Sequence, residues 1–207
     1  ELTQLFKSQM PEGRNGVEPT LMVLWGGDYF AAAYGKLVTG ELRGFQLVDH
    51  RADFKSIVES GSRLITLPST FVEYPKSWWR QRIGGAYLTS VGMGLVEIGA
   101  HPPLTPADVP PGKPVSIGEG ISLLAHQIKP SRDGLQVTLY WQAAQTPTQN
   151  YSVLVHVSDK EHITAAEDII AQADSQNPVY GWYPTTKWSA GEIVREDYRV
   201  MIAPGKI

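Results

Sequence analysis

The 207-residue sequence contains no cysteine. That excludes a disulfide framework, a cysteine nucleophile, and thiolate-bound zinc or iron–sulfur sites. A surplus of either charge is also missing: 18 Lys and Arg stand against 21 Asp and Glu, a formal net charge of −3. Such a balance does not suit a surface that tracks a phosphate backbone, so nucleic acid is not an expected partner. Long apolar runs are missing too. The longest charge-free apolar stretch, between Arg82 and Glu97, has 14 residues and includes Gly84, Gly85, Gly92 and Gly94. A membrane-spanning helix needs ~20 predominantly apolar residues. The chain opens ELTQLFKSQM, with neither an initiator Met nor a secretory signal, and ends at Pro204-Gly205-Lys206-Ile207. A piece of a longer protein is expected, whose chemistry need not lie in this segment.

What is present is a globular composition, 42% hydrophobic and 19% charged. Proline is concentrated in one place: six fall between His101 and Pro114. Proline fixes φ, removes a donor and biases its predecessor to extended geometry. Residues 101–114 are therefore expected to form a linker or extended crossing between a domain at 1–100 and another at 115–207.

The first half alternates strand and helix signals. Thr20–Trp25 is a continuous apolar run, as in a buried parallel strand. Gly26-Gly27 breaks it and offers Asp28 as a helix N-cap. From Tyr29 to Leu42, Phe30, Ala33, Tyr34, Leu37 and Val38 recur at helical spacing. Phe45–Asp49 is a second strand, Asp53 caps a short helix through Ser60, Gly61 closes it, and Arg63–Leu67 is a third strand stopped by Pro68. A small β-α-β-α-β unit with parallel strands follows, with a further helix at Leu2–Met10. The second half is all-β. Strands are expected at Ser122–Ile128, Leu135–Trp141, Tyr151–Val157, Ile169–Asp174 and Ile193–Ile202, with a turn at Ser131–Gly134. Leu135, Val137, Leu139 and Trp141 share one face. This pattern suggests an antiparallel Ig-like β-sandwich, with Glu161–Ala173 as a loop containing a helical turn.

Signals for chemistry are sparse. The strand–Gly26-Gly27-Asp28–helix junction offers backbone amides to an anion, but the Gly-x-Gly-x-x-Gly pattern is absent and Asp28 would repel a phosphate, so a tight βα turn with a helix cap is the favoured reading. His50, His101, His126, His156 and His162 form no metal-binding or HExxH pattern. No Gly-x-Ser-x-Gly is present, and Glu167-Asp168 and Glu196-Asp197 lack the setting of a glycosidase pair. Neither a metal nor another cofactor is called for. Aromatics are the richest feature. Trp182, Tyr183 and Trp188 could form a platform for a sugar ring, or pack the end of the sandwich instead. Trp78-Trp79, with Lys76, Arg80 and Arg82 nearby, would suit a membrane interface.

The segment Gln172-Ala173-Asp174, then Pro178, then Tyr183-Pro184-Thr185 to Trp188 and Gly191-Glu192 carries the pattern Q-x-D, P, Y-P-T-x-x-W-x-x-G-E. It resembles the C-terminal extracytoplasmic region of bacterial polytopic membrane glycosyltransferases related to dolichyl-phosphate-mannose protein mannosyltransferases. Leu135–Ala143 and Tyr151–Val157 are similar to two strands of that region, and Val23–Asp28 is similar more loosely. The resemblance covers residues 120–203 and, weakly, 20–70. In that family the sandwich continues into one more strand, so this one would be truncated at its C-terminal edge. The resemblance implies an extracytoplasmic location, a parent that transfers a sugar from a polyprenyl-phosphate donor, and no catalytic residue in this segment. It implies contact with the parent's membrane domain, a glycan or a polyprenyl-linked acceptor. Two other readings remain open: a carbohydrate-binding module acting through Trp182, Tyr183 and Trp188, and a soluble enzyme with its site in the α/β half near Asp28.

Overall fold

The computed structural model describes residues 11–14, 16–92 and 94–203; the helix expected at Leu2–Met10 lies outside them. The fold is mixed α/β and divides into two compact units, Glu1–Pro103 and Leu104–Ile207.

The first unit is built on a five-stranded mixed sheet. Its strands are β1 (Thr20–Met22), β2 (Gln46–Val48), β3 (Leu64–Thr66), β4 (Tyr87–Ser90) and β5 (Val96–Gly99), in the order β2-β1-β3-β5-β4. β1 pairs in parallel with β2 and β3, aligning Leu21 with Leu47 and Ile65. β5 runs antiparallel to both β3 and β4. The helices are α1 (Gly27–Leu37), α2 (Phe54–Glu59), α3 (Thr70–Glu73) and α4 (Lys76–Ile83). Alternation along the strands sends Leu21, Val23, Ile65 and Leu67 into one core with Ala32, Leu42, Phe45, Val91 and Leu95. In α2 and α4, Phe54 meets Trp79 edge-on at 5.1 Å, and the buried Trp79 indole donates to the Tyr74 carbonyl at 3.0 Å.

Asp53 caps α2, accepting from the Ser56 amide at 3.2 Å. Asp28 does not cap α1. Gly26, at φ 129°, takes that place, a conformation open to glycine, and Asp28 falls in the first turn. The glycine-rich stretch after Arg82 supplies an unexpected antiparallel pair, β4 and β5. It starts where Gly84 ends α4 at φ 80°.

The second unit contains a four-stranded antiparallel sheet ordered β11-β8-β7-β6 and a two-stranded antiparallel ribbon, β9 and β10. The sheet strands are β6 (Val115–Gly118), β7 (Ile121–Ser131), β8 (Gly134–Ala143) and β11 (Ile193–Met201). The ribbon strands are β9 (Val153–Val157) and β10 (Ala171–Ser175). Val137, Leu139, Tyr198 and Val200 are the buried centre of one apolar cluster, joined by Leu123, Leu135 and Trp141 from the sheet and Val153, Val155 and Ala173 from the ribbon. Pro130 does not stop β7. It pairs with Leu135, while β6 reaches no farther along β7 than Leu123, so the missing Pro130 donor lies on an open edge. Within 101–114, Pro106–Asp108 form a 3₁₀ turn in which the Asp108 carboxylate accepts from the Thr105 amide and hydroxyl, each at 2.7 Å. A second 3₁₀ turn, Ala166–Asp168, lies in the long loop before β10.

Candidate functional site

The aromatic residues singled out in the second unit point inward. Tyr183 and Trp188 are 1% and 2% exposed. The Tyr183 hydroxyl donates to the buried Glu192 carboxylate at 2.7 Å, and the Trp188 indole donates to the Tyr183 carbonyl at 3.3 Å. Neither ring offers a face to a sugar, and Trp182 is half-buried beside them. A cavity of about 80 Å³ lies against Trp188 and Trp141. Small-molecule sites are usually ~300–1,000 Å³. The segment 180–188 is thus a packed corner and not a three-ring platform.

The Trp78-Trp79 pair is also mainly internal. Trp79 is buried, while Trp78 lies 4.4 Å from the Tyr74 ring and 5.6 Å from Phe54, with the Arg82 guanidinium 3.6 Å above it. Trp79 is thus internal, and Trp78 is half-buried under Arg82.

Exposed aromatic surface occurs instead on α1. Phe30, Tyr34, Leu37 and Val38 are 59%, 58%, 79% and 63% exposed, and Trp25, just before the helix, is 51% exposed. Their spacing places them on one stripe. The opposite side carries Ala32 and Gly35, both buried. These small residues let the helix lie close to the sheet, which turns the bulky stripe outward. The Trp25 ring lies 5.1 Å from Tyr29 and 5.4 Å from Phe30. The Arg51 guanidinium caps it at 4.6 Å. Asp49 accepts from the Arg51 amide at 2.8 Å and from its Nε at 3.0 Å, and that pairing holds the Asp49 carboxyl near 2. Asp28 is exposed at the N-terminal end of the same helix. Its charge complements the helix dipole and opposes an anionic ligand there.

Elsewhere in the first unit lies a cleft of about 640 Å³. Its lining comes from the segment before β1, the C-terminal ends of α2 and α4, the start of β3 and the end of β5 through Pro103. At its base the buried Glu97 carboxylate accepts from Arg63 Nη2 at 2.7 Å and from Nε at 3.2 Å. Arg63 Nη1 donates to the Glu12 carbonyl at 2.9 Å, and Arg14 lies 4.0 Å from Glu97. These residues are scattered along the chain, and no local motif joins them.

Among the described residues, no group of three or more His, Asp or Glu is arranged to hold a metal ion, and no helix is long and apolar enough to cross a membrane. Comparison with known proteins finds no matching family model, no matching curated protein and no matching solved structure.

Proposed function

We propose that this chain is a non-catalytic, extracytoplasmic accessory region of a membrane-embedded glycosyltransferase that uses a polyprenyl-phosphate sugar donor. On this reading, its second unit is an Ig-like β-sandwich, and its first unit docks on the parent's membrane domain through the outward stripe of α1. The observation that carries the reading is the exposure of Trp25, Phe30, Tyr34, Leu37 and Val38 together. Aromatic residues carry ~150–250 Å² each, so Trp25, Phe30 and Tyr34, each more than half exposed, display on the order of 300 Å² of surface, and Leu37 and Val38 add to it. Soluble monomers rarely leave contiguous patches above a few hundred Å² uncovered unless something binds there. Leu37 and Val38 extend the aromatic face with aliphatic bulk, which suits an apolar protein surface better than a sugar ring. The carbohydrate-module reading loses support because Tyr183 and Trp188 are buried.

A photo-crosslinking residue at position 34 of the full-length gene product tests this. Crosslinks to a membrane-embedded segment of the same protein are expected, and they should vanish when Phe30 and Leu37 are both changed to Ser. A gene product without membrane spans, or crosslinks confined to other soluble proteins, would sink the proposal.

A further inference from the structure

The cleft in the first unit has a chemistry that the docking role of α1 leaves unused, and the inference drawn from it stands independently of that role. Its lining includes four permanent cations, Arg14, Lys55, Arg63 and Arg82, but two carboxylates, Glu59 and Glu97. The cations come from separate parts of the chain, and folding brings them around one volume of about 640 Å³. That volume falls within the ~300–1,000 Å³ range of small-molecule sites.

Glu97 is matched, held by two hydrogen bonds from Arg63. Glu59 lies 3.8 Å from Lys55 in an exposed contact one turn apart on α2, which is weak enough to leave Lys55 open to a ligand. Arg82 has no carboxylate partner among the described residues. Its guanidinium lies on the Trp78 ring, which fixes its position without neutralising it. The lining therefore keeps a positive excess that a ligand can satisfy.

Hydrogen-bond acceptors lie beside these cations. α2 and α4 both end at the cleft, at Gly61 and Gly84. Ile57, Val58 and Arg80 already accept from the Ser60 hydroxyl, the Gly61 amide and the Gly84 amide, so the acceptors each end presents are the carbonyls beyond them. Carbonyls repel a bare anion but accept readily from hydroxyl groups. A ligand that satisfies both halves of the lining carries an anionic group and several hydroxyls on a small frame.

We infer that this cleft binds a small hydroxylated anion, an acidic sugar carrying a phosphate or a carboxylate. The anionic group lies toward Arg82 and Lys55, and the hydroxyls face the carbonyl ends of α2 and α4.

Amide NMR titration of the whole chain with glucose 6-phosphate, glucuronate, glucose and inorganic phosphate tests the inference. Saturable shifts at Gly61, Gly84 and Gly99 are expected with at least one of the two acidic sugars. The better of the two identifies phosphate or carboxylate as the anionic group. Both glucose and inorganic phosphate should bind at least tenfold more weakly than that sugar. Arg82→Gln should weaken it about tenfold, the loss expected for one charge-assisted contact. Lys55→Gln, at an exposed position that leaves the fold intact, should weaken it severalfold. The inference is overturned if neither acidic sugar binds more tightly than about 10 mM. It is equally overturned if glucose or inorganic phosphate matches the acidic sugar, or if neither variant changes the affinity.

Discussion

The indole Nε1 of Trp141 donates a 3.3 Å hydrogen bond to Oε2 of Glu196, a carboxylate buried in the middle of β11. Desolvation dominates this group and raises it from 4.5 to about 7, against the opposing pull of Tyr198, Trp141 and the Val179 amide. The Tyr198 hydroxyl is close enough to influence the carboxylate but closes no hydrogen bond of ordinary geometry. Val179 itself is buried with φ 55°, an uncommon conformation for a β-branched residue.

Because the folded-state pKa of Glu196 lies above its unfolded value, its contribution to stability is complete below about 4.5 and disappears as pH rises through about 7. The shift corresponds to about 3 kcal/mol. Urea denaturation at pH 5 and pH 8 should show this loss in the wild type and a much smaller one in Glu196→Gln. The variant should be the more stable protein at pH 8. Identical pH dependence in the two proteins would contradict the assignment.

The Arg63–Glu97 pair is buried, so removing one partner strands the other. Arg63→Ala should cost ~3–5 kcal/mol, because the Glu97 carboxylate is left without its two strongest donors. The double variant with Glu97→Ala should recover part of that loss. Denaturant midpoints of the two singles and the double close the cycle, and a strictly additive result would show no coupling between the residues.

Local rules made several features legible. Period-two alternation identifies one apolar face of β8, since Val137 and Leu139 alternate with Gln136, Thr138 and Tyr140. Asp53 is legible as a cap because its interaction with the Ser56 amide depends only on neighbouring residues. The stripe on α1 also obeys helical spacing, but spacing does not say which stripe meets the sheet. Ala32 and Gly35, on the other side, decide it by allowing close approach. Strands β4 and β5 escape detection because the intervening glycines interrupt the alternation. The cleft is invisible to motif reading, because Arg14, Arg63, Arg82 and Glu97 become neighbours only through the tertiary fold.

Asp168 anchors the loop before β10. Its Oδ2 accepts from the Thr164 amide and hydroxyl, each at 2.9 Å, and from the Ala165 amide at 3.1 Å, while Lys160 pairs with Oδ1. The Lys160 contact and the Thr164 bonds lower its pKa to about 2. The stabilisation this group provides is therefore present above about 3.8 and is lost as pH falls through about 2. Asp168→Ala should remove it at neutral pH. Hydrogen exchange should then accelerate at Thr164 and Ala165 while β8 keeps its protection. Unchanged exchange at those two amides would refute the anchoring role.

The corner formed by Tyr183, Trp188 and Glu192 should behave as structure under mutation. Tyr183→Phe deletes a donor to a buried carboxylate and should cost ~1–3 kcal/mol, the range for a buried acceptor deprived of a partner. Trp188→Ala should cost ~3–5 kcal/mol through the cavity it leaves. A sugar-binding platform would give the opposite pattern, with stability preserved and ligand affinity lost. Thermal unfolding of both variants, read beside glycan binding to the wild type, distinguishes the two. Stable variants together with saturable glycan binding would return these rings to a recognition role, whereas large stability losses without wild-type binding would place them in the core.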